Sequence, residues 1–185
     1  SANCGLYCGS KVDFVDIDPN TGLICVETLH KKLIKAKENN KLPKVIIPVH
    51  LAGTSCDMSR IHKLSKEFGF SIIEDASHAL GGTCDGFPVG SCKYSDITIF
   101  SLHPVKIITS GEGGIATTNS SILAEKMSLL RSHGIIKDPK FFRNNDKSEW
   151  KYEQQDLGYN YRMTDILAAL GTSQLKKIKK FVEKR

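Results

Sequence analysis

Apolar side chains recur along this chain with two periods, and segments of the two kinds alternate. Spacings of three and four residues predict helices over residues 26–37, 58–68 and 122–131, the second capped by Asp57 and ended by Gly69. Short apolar runs predict strands over residues 12–15, 45–49, 71–75, 96–100 and 114–118. The alternation predicts an α/β fold with a largely parallel sheet flanked by helices.

The last part of the chain combines a polar segment with a final helix. Residues 137–155 are polar and predict a long loop, whose length indicates function or mobility rather than a passive connection. Thr164 is the predicted N-cap of a helix that turns Leu167, Leu170 and Leu175 inward. Residues 174–185 are expected to form a charged helix.

Two side chains that follow strands of the predicted sheet carry a specific chemistry. Asp75 ends a short apolar run, and the carboxyl end of a buried parallel strand delivers its side chain to a ligand crevice. Lys106 lies in the loop after the strand that ends at Ser101. Pyridoxal phosphate needs an amine that condenses with its aldehyde and a carboxylate that keeps its pyridine nitrogen protonated. The spacing of Asp75 and Lys106 permits such a site without proving it.

Each of these residues also has an ordinary structural explanation. A loop lysine is in most proteins a solvated charge, and an aspartate at a strand end is about as often the cap of the next helix. Residues 111–116 match the G-x-G-x-x-A pattern of dinucleotide sites. No predicted strand runs directly into this segment and no helix follows it, so a dinucleotide site is not expected there.

Longer motifs favour a cofactor site over these ordinary structural explanations. They occupy residues 15–18, 48–53, 57–58, 73–81, 101–114, 131–134 and 157–165 and so extend over nearly the whole chain. In this order they resemble the DegT/DnrJ family of nucleotide-sugar aminotransferases, which are pyridoxal-phosphate enzymes. The resemblance implies the large domain of a fold-type I aminotransferase.

The resemblance also implies roles for five residues. Lys106 would bind the cofactor covalently and then move a proton between the substrate carbon and the cofactor carbon, while Asp75 would pair with the pyridinium. His78, where many relatives carry glutamine, would contact the phenolic oxygen of the cofactor. Ser101 would donate to its phosphate. Asn160 would reach the phosphate of a neighbouring subunit, which implies a homodimer with shared active sites and no catalytic metal.

The implied reaction is transamination of a nucleotide-linked 4-keto-6-deoxy sugar, with an amino acid, expected to be glutamate, as donor. The form His-Pro-Val-Lys of the lysine loop is similar to the subgroup that acts in pseudaminic acid biosynthesis. One alternative is a sugar dehydratase of the same fold, but those relatives replace the lysine that stands here at 106. The other is a regulatory relative without turnover, against which the intact Lys106, Asp75 and Ser101 argue.

Composition and charge exclude other classes of protein. The net charge of +6 comes largely from lysines in one early helix and at the C-terminal end, a pattern typical of solvated helix faces and compatible with a diphosphate-bearing substrate. No aromatic-rich basic motif indicates a nucleic-acid partner. The six cysteines show neither a C-x-x-C pair nor a zinc pattern. With no apolar stretch near membrane-spanning length and no secretion signal, we expect a cytoplasmic enzyme.

Length suggests how the chain is organised. Its 185 residues suffice for one core but are few for this family, and the first residue is not Met. We expect residues 1–173 to form the cofactor-binding large domain without its N-terminal part, and residues 174–185 to begin a helix leading to an absent C-terminal small domain. The missing N-terminal part would hold most of the cofactor phosphate at a helix N-terminus.

Overall fold

The computed structural model describes residues 1–143, 148 and 150–184. The helices are α1 (Ala2–Tyr7), α2 (Val26–Glu38), α3 (Met58–Phe68), α4 (Ser121–Arg131), α5 (Asp165–Leu175) and α6 (Ile178–Glu183). The strands are β1 (Val45–Ile46), β2 (Ser71–Asp75), β3 (Thr83–Cys84), β4 (Phe87–Pro88), β5 (Ile97–Ser101), β6 (Gly114–Thr117), β7 (Ile135–Ile136) and β8 (Glu153–Gln154). Two short 3₁₀ helices lie at Leu51–Gly53 and Pro139–Phe141.

A mixed sheet with the strand order β1-β2-β5-β6 forms the centre of the fold. The strands β1, β2 and β5 are parallel, and β6 joins β5 in antiparallel orientation. The strands β3 and β4 form one small hairpin, and β7 pairs with β8 in another. The largely parallel α/β architecture predicted from the sequence is therefore confirmed.

The two faces of the sheet differ in burial because successive strand residues point to opposite sides. Ile72 packs in a core with side chains of α2 and α3 such as Leu33 and Ile61. Asp75 is paired in register with Ile99, so both lie on the other face, and Ile99 remains 40% exposed. This second face, with the strand ends above it, carries the candidate site.

Helix boundaries follow the capping residues expected from the sequence. The Asp57 carboxylate accepts a hydrogen bond from the Arg60 amide at the start of α3, and Gly69 ends that helix with a φ of 76°. The Thr164 hydroxyl accepts from the Leu167 amide at the start of α5. Each side chain satisfies a backbone donor that has no partner within the helix.

Two predicted strands differ in the structure. Residues 12–15 form no strand, and the Phe14 carbonyl there accepts a hydrogen bond from the Lys32 ammonium of α2. The strand predicted over residues 45–49 is regular only at Val45–Ile46. Pro48 has no amide hydrogen to donate, and pairing returns only as an isolated bridge between Val49 and Asp75.

The C-terminal prediction was partly wrong. Leu170 and Leu175 are 41% and 45% exposed rather than turned inward. The charged segment is not one helix, because α5 ends at Leu175 and α6 begins at Ile178. Of the predicted loop 137–155, the described part contains a 3₁₀ turn and β8, while residues 144–147 and 149 lie outside the described residues.

Gly114 begins a strand and not a helix, which agrees with the rejection of a dinucleotide site at residues 111–116.

Within the described ranges, no helix has both the length and the apolar character needed to cross a membrane.

Candidate active site

Asp75 lies at the carboxyl end of β2, where backbone bonds hold it on both sides. Its amide donates to the Pro48 carbonyl at 2.9 Å, and its carbonyl accepts from the His50 amide at 3.0 Å. Burial raises the pKa of the Asp75 carboxyl, but hydrogen bonds from Ser1 and Ser77 outweigh it and the pKa lies below its ordinary value. The strand end therefore carries an anion at neutral pH.

Lys106 and His78 line one cleft of about 580 Å³. Of the other predicted site residues, Asp75 and Ser101 are not among the described residues that line it, although Asp75 lies only three positions before His78 on the chain. Lys106 is half-buried in a turn in which its amide donates to the His103 carbonyl at 3.0 Å. Ala52 and Gly53 form another part of the wall, and Val182 of α6 contributes as well. A lysine and a histidine thus line one ligand-sized space.

The hydrogen bonding of His78 fixes which ring nitrogen is a donor. The Ala52 amide donates to His78 Nδ1 at 3.3 Å. Because Nδ1 accepts, the proton of the neutral ring is on Nε2, which leaves Nε2–H as a donor for a ligand in the cleft. Gly53 permits the loop to pass close to the His78 backbone, since a Cβ on it would lie 3.0 Å from the His78 carbonyl oxygen. Its φ of +90° also favours glycine.

Ser101 and Asn160 occupy different parts of the fold. Ser101 ends β5 two residues beyond Ile99 and therefore shares the sheet face of Asp75, and its hydroxyl accepts from the His103 amide at 3.3 Å. Asn160 is exposed and forms a backbone bridge with Ser132, after α4. The sheet therefore positions Asp75 and Ser101, whereas the segment after α4 positions Asn160.

A buried polar pair that was not predicted from the sequence lies directly behind Asp75. His50 is completely buried and Glu74 is 5% exposed, and their side chains meet with an Nε2 to Oε2 distance of 2.7 Å. One sequence feature could have revealed this pair, namely a carboxylate at an inward-facing position of an apolar strand. Glu74 occupies such a position between Ile73 and Asp75.

The residues gathered here fit the chemistry of pyridoxal phosphate. The cleft offers the amine of Lys106 and an N–H donor on His78, and Asp75 supplies an anion at the adjoining strand end. A primary amine, a carboxylate for the pyridine nitrogen and a donor for a ring oxygen are the groups that the cofactor requires.

Comparisons with known proteins point the same way. A profile of the DegT/DnrJ/EryC1/StrS aminotransferase family matches residues 1–185. A UDP-4-amino-4,6-dideoxy-N-acetyl-beta-L-altrosamine transaminase of Campylobacter jejuni is 43% identical over 185 residues, which is all of this chain and 45% of that protein. The Helicobacter pylori aminotransferase PseC, which is involved in the biosynthesis of pseudoaminic acid, superposes with a TM-score of 0.84 at 36% identity, over 97% of this chain and 43% of PseC.

A Streptococcus pneumoniae protein assigned as a sugar aminotransferase has been solved in a PLP-form and a PMP-form. Its PLP-form superposes with a TM-score of 0.76 at 30% identity, over 96% of this chain and 46% of that protein. The chain thus spans a little under half the length of each of these relatives.

Proposed function

Because the chain belongs to the DegT/DnrJ/EryC1/StrS aminotransferase family, we propose that it carries the cofactor site of a pyridoxal-phosphate-dependent nucleotide-sugar aminotransferase. The family is pyridoxal-phosphate-dependent. The observation that carries the proposal is the shared cleft of Lys106 and His78, with the anionic Asp75 at the adjoining strand end.

Each residue has a defined task in this proposal. When bound, pyridoxal phosphate supplies an electron sink for the bond that breaks at the amino-bearing carbon. Lys106 Nζ would bind the cofactor, and as a free amine it would be the base that moves a proton between the substrate carbon and the cofactor carbon. The Asp75 carboxylate holds a proton on the pyridine nitrogen.

Two further residues orient the cofactor. The Nε2–H of His78 donates to the phenolic oxygen, a task for which the Ala52 amide has already set the tautomer of the ring. The Ser101 hydroxyl, at the end of β5, donates to the phosphate. Fixing the ring and the phosphate leaves the reacting carbon in one orientation relative to Lys106.

The proposed substrate is a nucleotide-linked 4-keto-6-deoxy sugar, with glutamate as the amino donor. The names of the C. jejuni and H. pylori relatives, a UDP-linked amino-sugar transaminase and an aminotransferase of pseudoaminic acid biosynthesis, support a substrate of the pseudaminic acid route. Incubation of the complete protein with candidate UDP-linked keto sugars and with different amino acids, followed by mass spectrometry, identifies both partners. An unsaturated or deoxygenated sugar product without a new amine would favour the alternative of a dehydratase.

Reduction of the bound cofactor tests the site directly. The complete protein mixed with pyridoxal phosphate should show a visible absorption band, which borohydride removes while fixing the cofactor onto Lys106. Peptide mapping locates the adduct. Lys106→Ala should abolish the labelling, whereas the control Lys41→Ala, at an exposed position before β1, should keep it. An adduct on any other lysine contradicts the assignment, and a protein that binds cofactor without turnover on any sugar is a regulatory relative.

A further inference from the structure

The buried pair of His50 and Glu74 makes a complete set of hydrogen bonds. Besides His50, the Glu74 carboxylate accepts from the Thr98 hydroxyl at 2.9 Å and from the Ser95 hydroxyl. The other ring nitrogen of His50, Nδ1, accepts from the Cys56 amide at 3.2 Å. The pair therefore joins β2, β5 and the loop that follows Val49.

These contacts determine the charge of both partners. Burial raises the pKa of Glu74, but the hydrogen bonds from His50, Ser95 and Thr98 outweigh it, so the pKa lies below its ordinary value and Glu74 is ionised. Since Nδ1 of His50 accepts the Cys56 amide, the ring proton is on Nε2 and is donated to Glu74. The pair is therefore a neutral imidazole that donates its Nε2–H to a carboxylate, and the hydrogen bond runs in one direction only.

The same residues hold two parts of the candidate site. The His50 amide donates to the Asp75 carbonyl at 3.0 Å, and Glu74 directly precedes Asp75 on β2. Two residues after His50, the Ala52 amide donates to His78 Nδ1. The loop from His50 to Cys56 is therefore closed by the bond between the Cys56 amide and the His50 ring. In between, its Ala52 amide holds the cleft residue His78.

We propose that Glu74 and His50 are positioning residues, which fix the strand end that carries Asp75 and the loop that sets the tautomer of His78. As far as the cofactor is concerned, this inference rests on the proposed function. Replacing both partners of a buried hydrogen bond by apolar groups of the same shape can leave the stability nearly unchanged. Directional hydrogen bonds at this place are better explained by the orientation that they impose on the neighbouring side chains.

Glu74→Gln tests the inference with almost no change in shape. A glutamine amide has one acceptor oxygen where the carboxylate has two. If that oxygen keeps the bonds from Ser95 and Thr98, the NH₂ group opposes the Nε2–H of His50, and the ring must move its proton to Nδ1, which opposes the Cys56 amide. If the amide turns round, the two hydroxyls must accept from it and His50 keeps only a neutral acceptor in place of a charged one. In both orientations the constraint on the loop that holds His78 is weakened.

Two measurements detect whether His50 and His78 are disturbed in Glu74→Gln. In ¹⁵N-histidine NMR spectra of the protein without cofactor, wild-type His50 and His78 should both show an unprotonated Nδ1, and Glu74→Gln should shift the signals of both. The His78 signals are assigned with His78→Gln. In a titration with pyridoxal phosphate, followed by the visible band, the Kd of Glu74→Gln should rise at least about tenfold, as expected for a misplaced binding group.

Two variants separate positioning from loss of stability. Leu33→Ala removes a buried side chain of α2 in the same core, away from the strand end, and should lower the unfolding midpoint while leaving the His78 signals and the Kd unchanged. His50→Gln keeps an amide donor for Glu74 but offers Cys56 no ring nitrogen, and replaces Glu74→Gln if that variant does not fold. It should disturb His78 as well.

The outcomes are decisive for each proposal separately. Unchanged His78 signals and an unchanged Kd in a folded Glu74→Gln or His50→Gln variant overturn the positioning role. Equal effects in Leu33→Ala overturn it too, because a general loss of stability would then suffice. If the wild type binds no pyridoxal phosphate, the proposed function fails, but the NMR comparison without cofactor still decides whether Glu74 and His50 orient His78.

Discussion

Glu74 and Asp75 are neighbouring carboxylates whose environments differ because a strand sends successive side chains to opposite faces. Glu74 faces the core, where His50, Ser95 and Thr98 donate to it. Asp75 faces the partly exposed side and accepts from Ser77. Both pKa values lie below their ordinary range, so both groups are anions. Glu74 is enclosed by the core, whereas Asp75 is half-buried on the other face, where Ser1 also donates to it.

At the residue scale, Asp75→Asn should keep the shape of the site and remove its charge. Without the anion, a protonated pyridine nitrogen is no longer stabilised, and we expect turnover of the complete enzyme to fall by about 10²–10⁴. Labelling of Lys106 by cofactor and borohydride should persist. Asp85→Asn is a matched control, since Asp85 is exposed and its φ of 50° suits asparagine. Wild-type turnover in Asp75→Asn would assign the carboxylate another task.

At the element scale, the segment that carries Asn160 crosses the end of α4 with backbone against backbone. The His133 amide donates to the Tyr159 carbonyl at 2.7 Å. A Cβ on Gly134 would lie 2.0 Å from the Asp156 carbonyl oxygen, and one on Gly158 would lie 2.2 Å from the Gly134 nitrogen. Two glycines thus permit the crossing that presents Asn160.

Gly134→Ala and Gly69→Ala measure what this crossing requires. Both glycines have similar positive φ angles, 69° and 76°, but nothing lies within 4 Å of a Cβ on Gly69. Gly69→Ala should cost only the backbone strain, about 1–2 kcal/mol. Gly134→Ala adds overpacking of about 1–3 kcal/mol. Denaturant unfolding followed by circular dichroism gives both values, and equal losses would mean that the crossing relaxes freely.

At the scale of the whole molecule, large apolar side chains are exposed around the segment that carries Asn160. Among them are Phe141 at 67%, Trp150 at 80%, Leu157 at 85%, Tyr161 at 72% and Ile166 at 82%. Exposed apolar side chains of this size favour an interaction surface. We therefore keep the hypothesis of a homodimer in which Asn160 acts on the partner's cofactor phosphate.

Mixed dimers test this hypothesis. If Asn160 acts across the interface, a Lys106→Ala chain paired with an Asn160→Ala chain assembles one site with both defects and one site with neither. The mixture should therefore regain activity although both parent variants are nearly inactive. Mass spectrometry confirms subunit exchange, and circular dichroism confirms that Asn160→Ala is folded. No recovery under these conditions would place the action of Asn160 within its own chain.

Features that depend on near neighbours along the chain could be predicted from the amino-acid order. The helix α3 between Asp57 and Gly69, the N-cap Thr164 and the strand that ends at Asp75 lie where the pattern predicts them. Caps act within one helical turn, and a strand's alternation shows in its own residues, so no distant partner is needed to recognise them. Family membership was likewise recognisable from ordered local motifs and is confirmed.

Which of these elements meet became visible in the folded chain. It showed that residues 12–15 pair with no strand, that Leu170 stays exposed, and that Val182 of α6 lines the cleft beside Lys106. It also brought His50 to Glu74 behind the strand end. A hydrophobic pattern specifies which face of an element is buried but not which element covers it, since that choice depends on contacts between residues far apart in the chain.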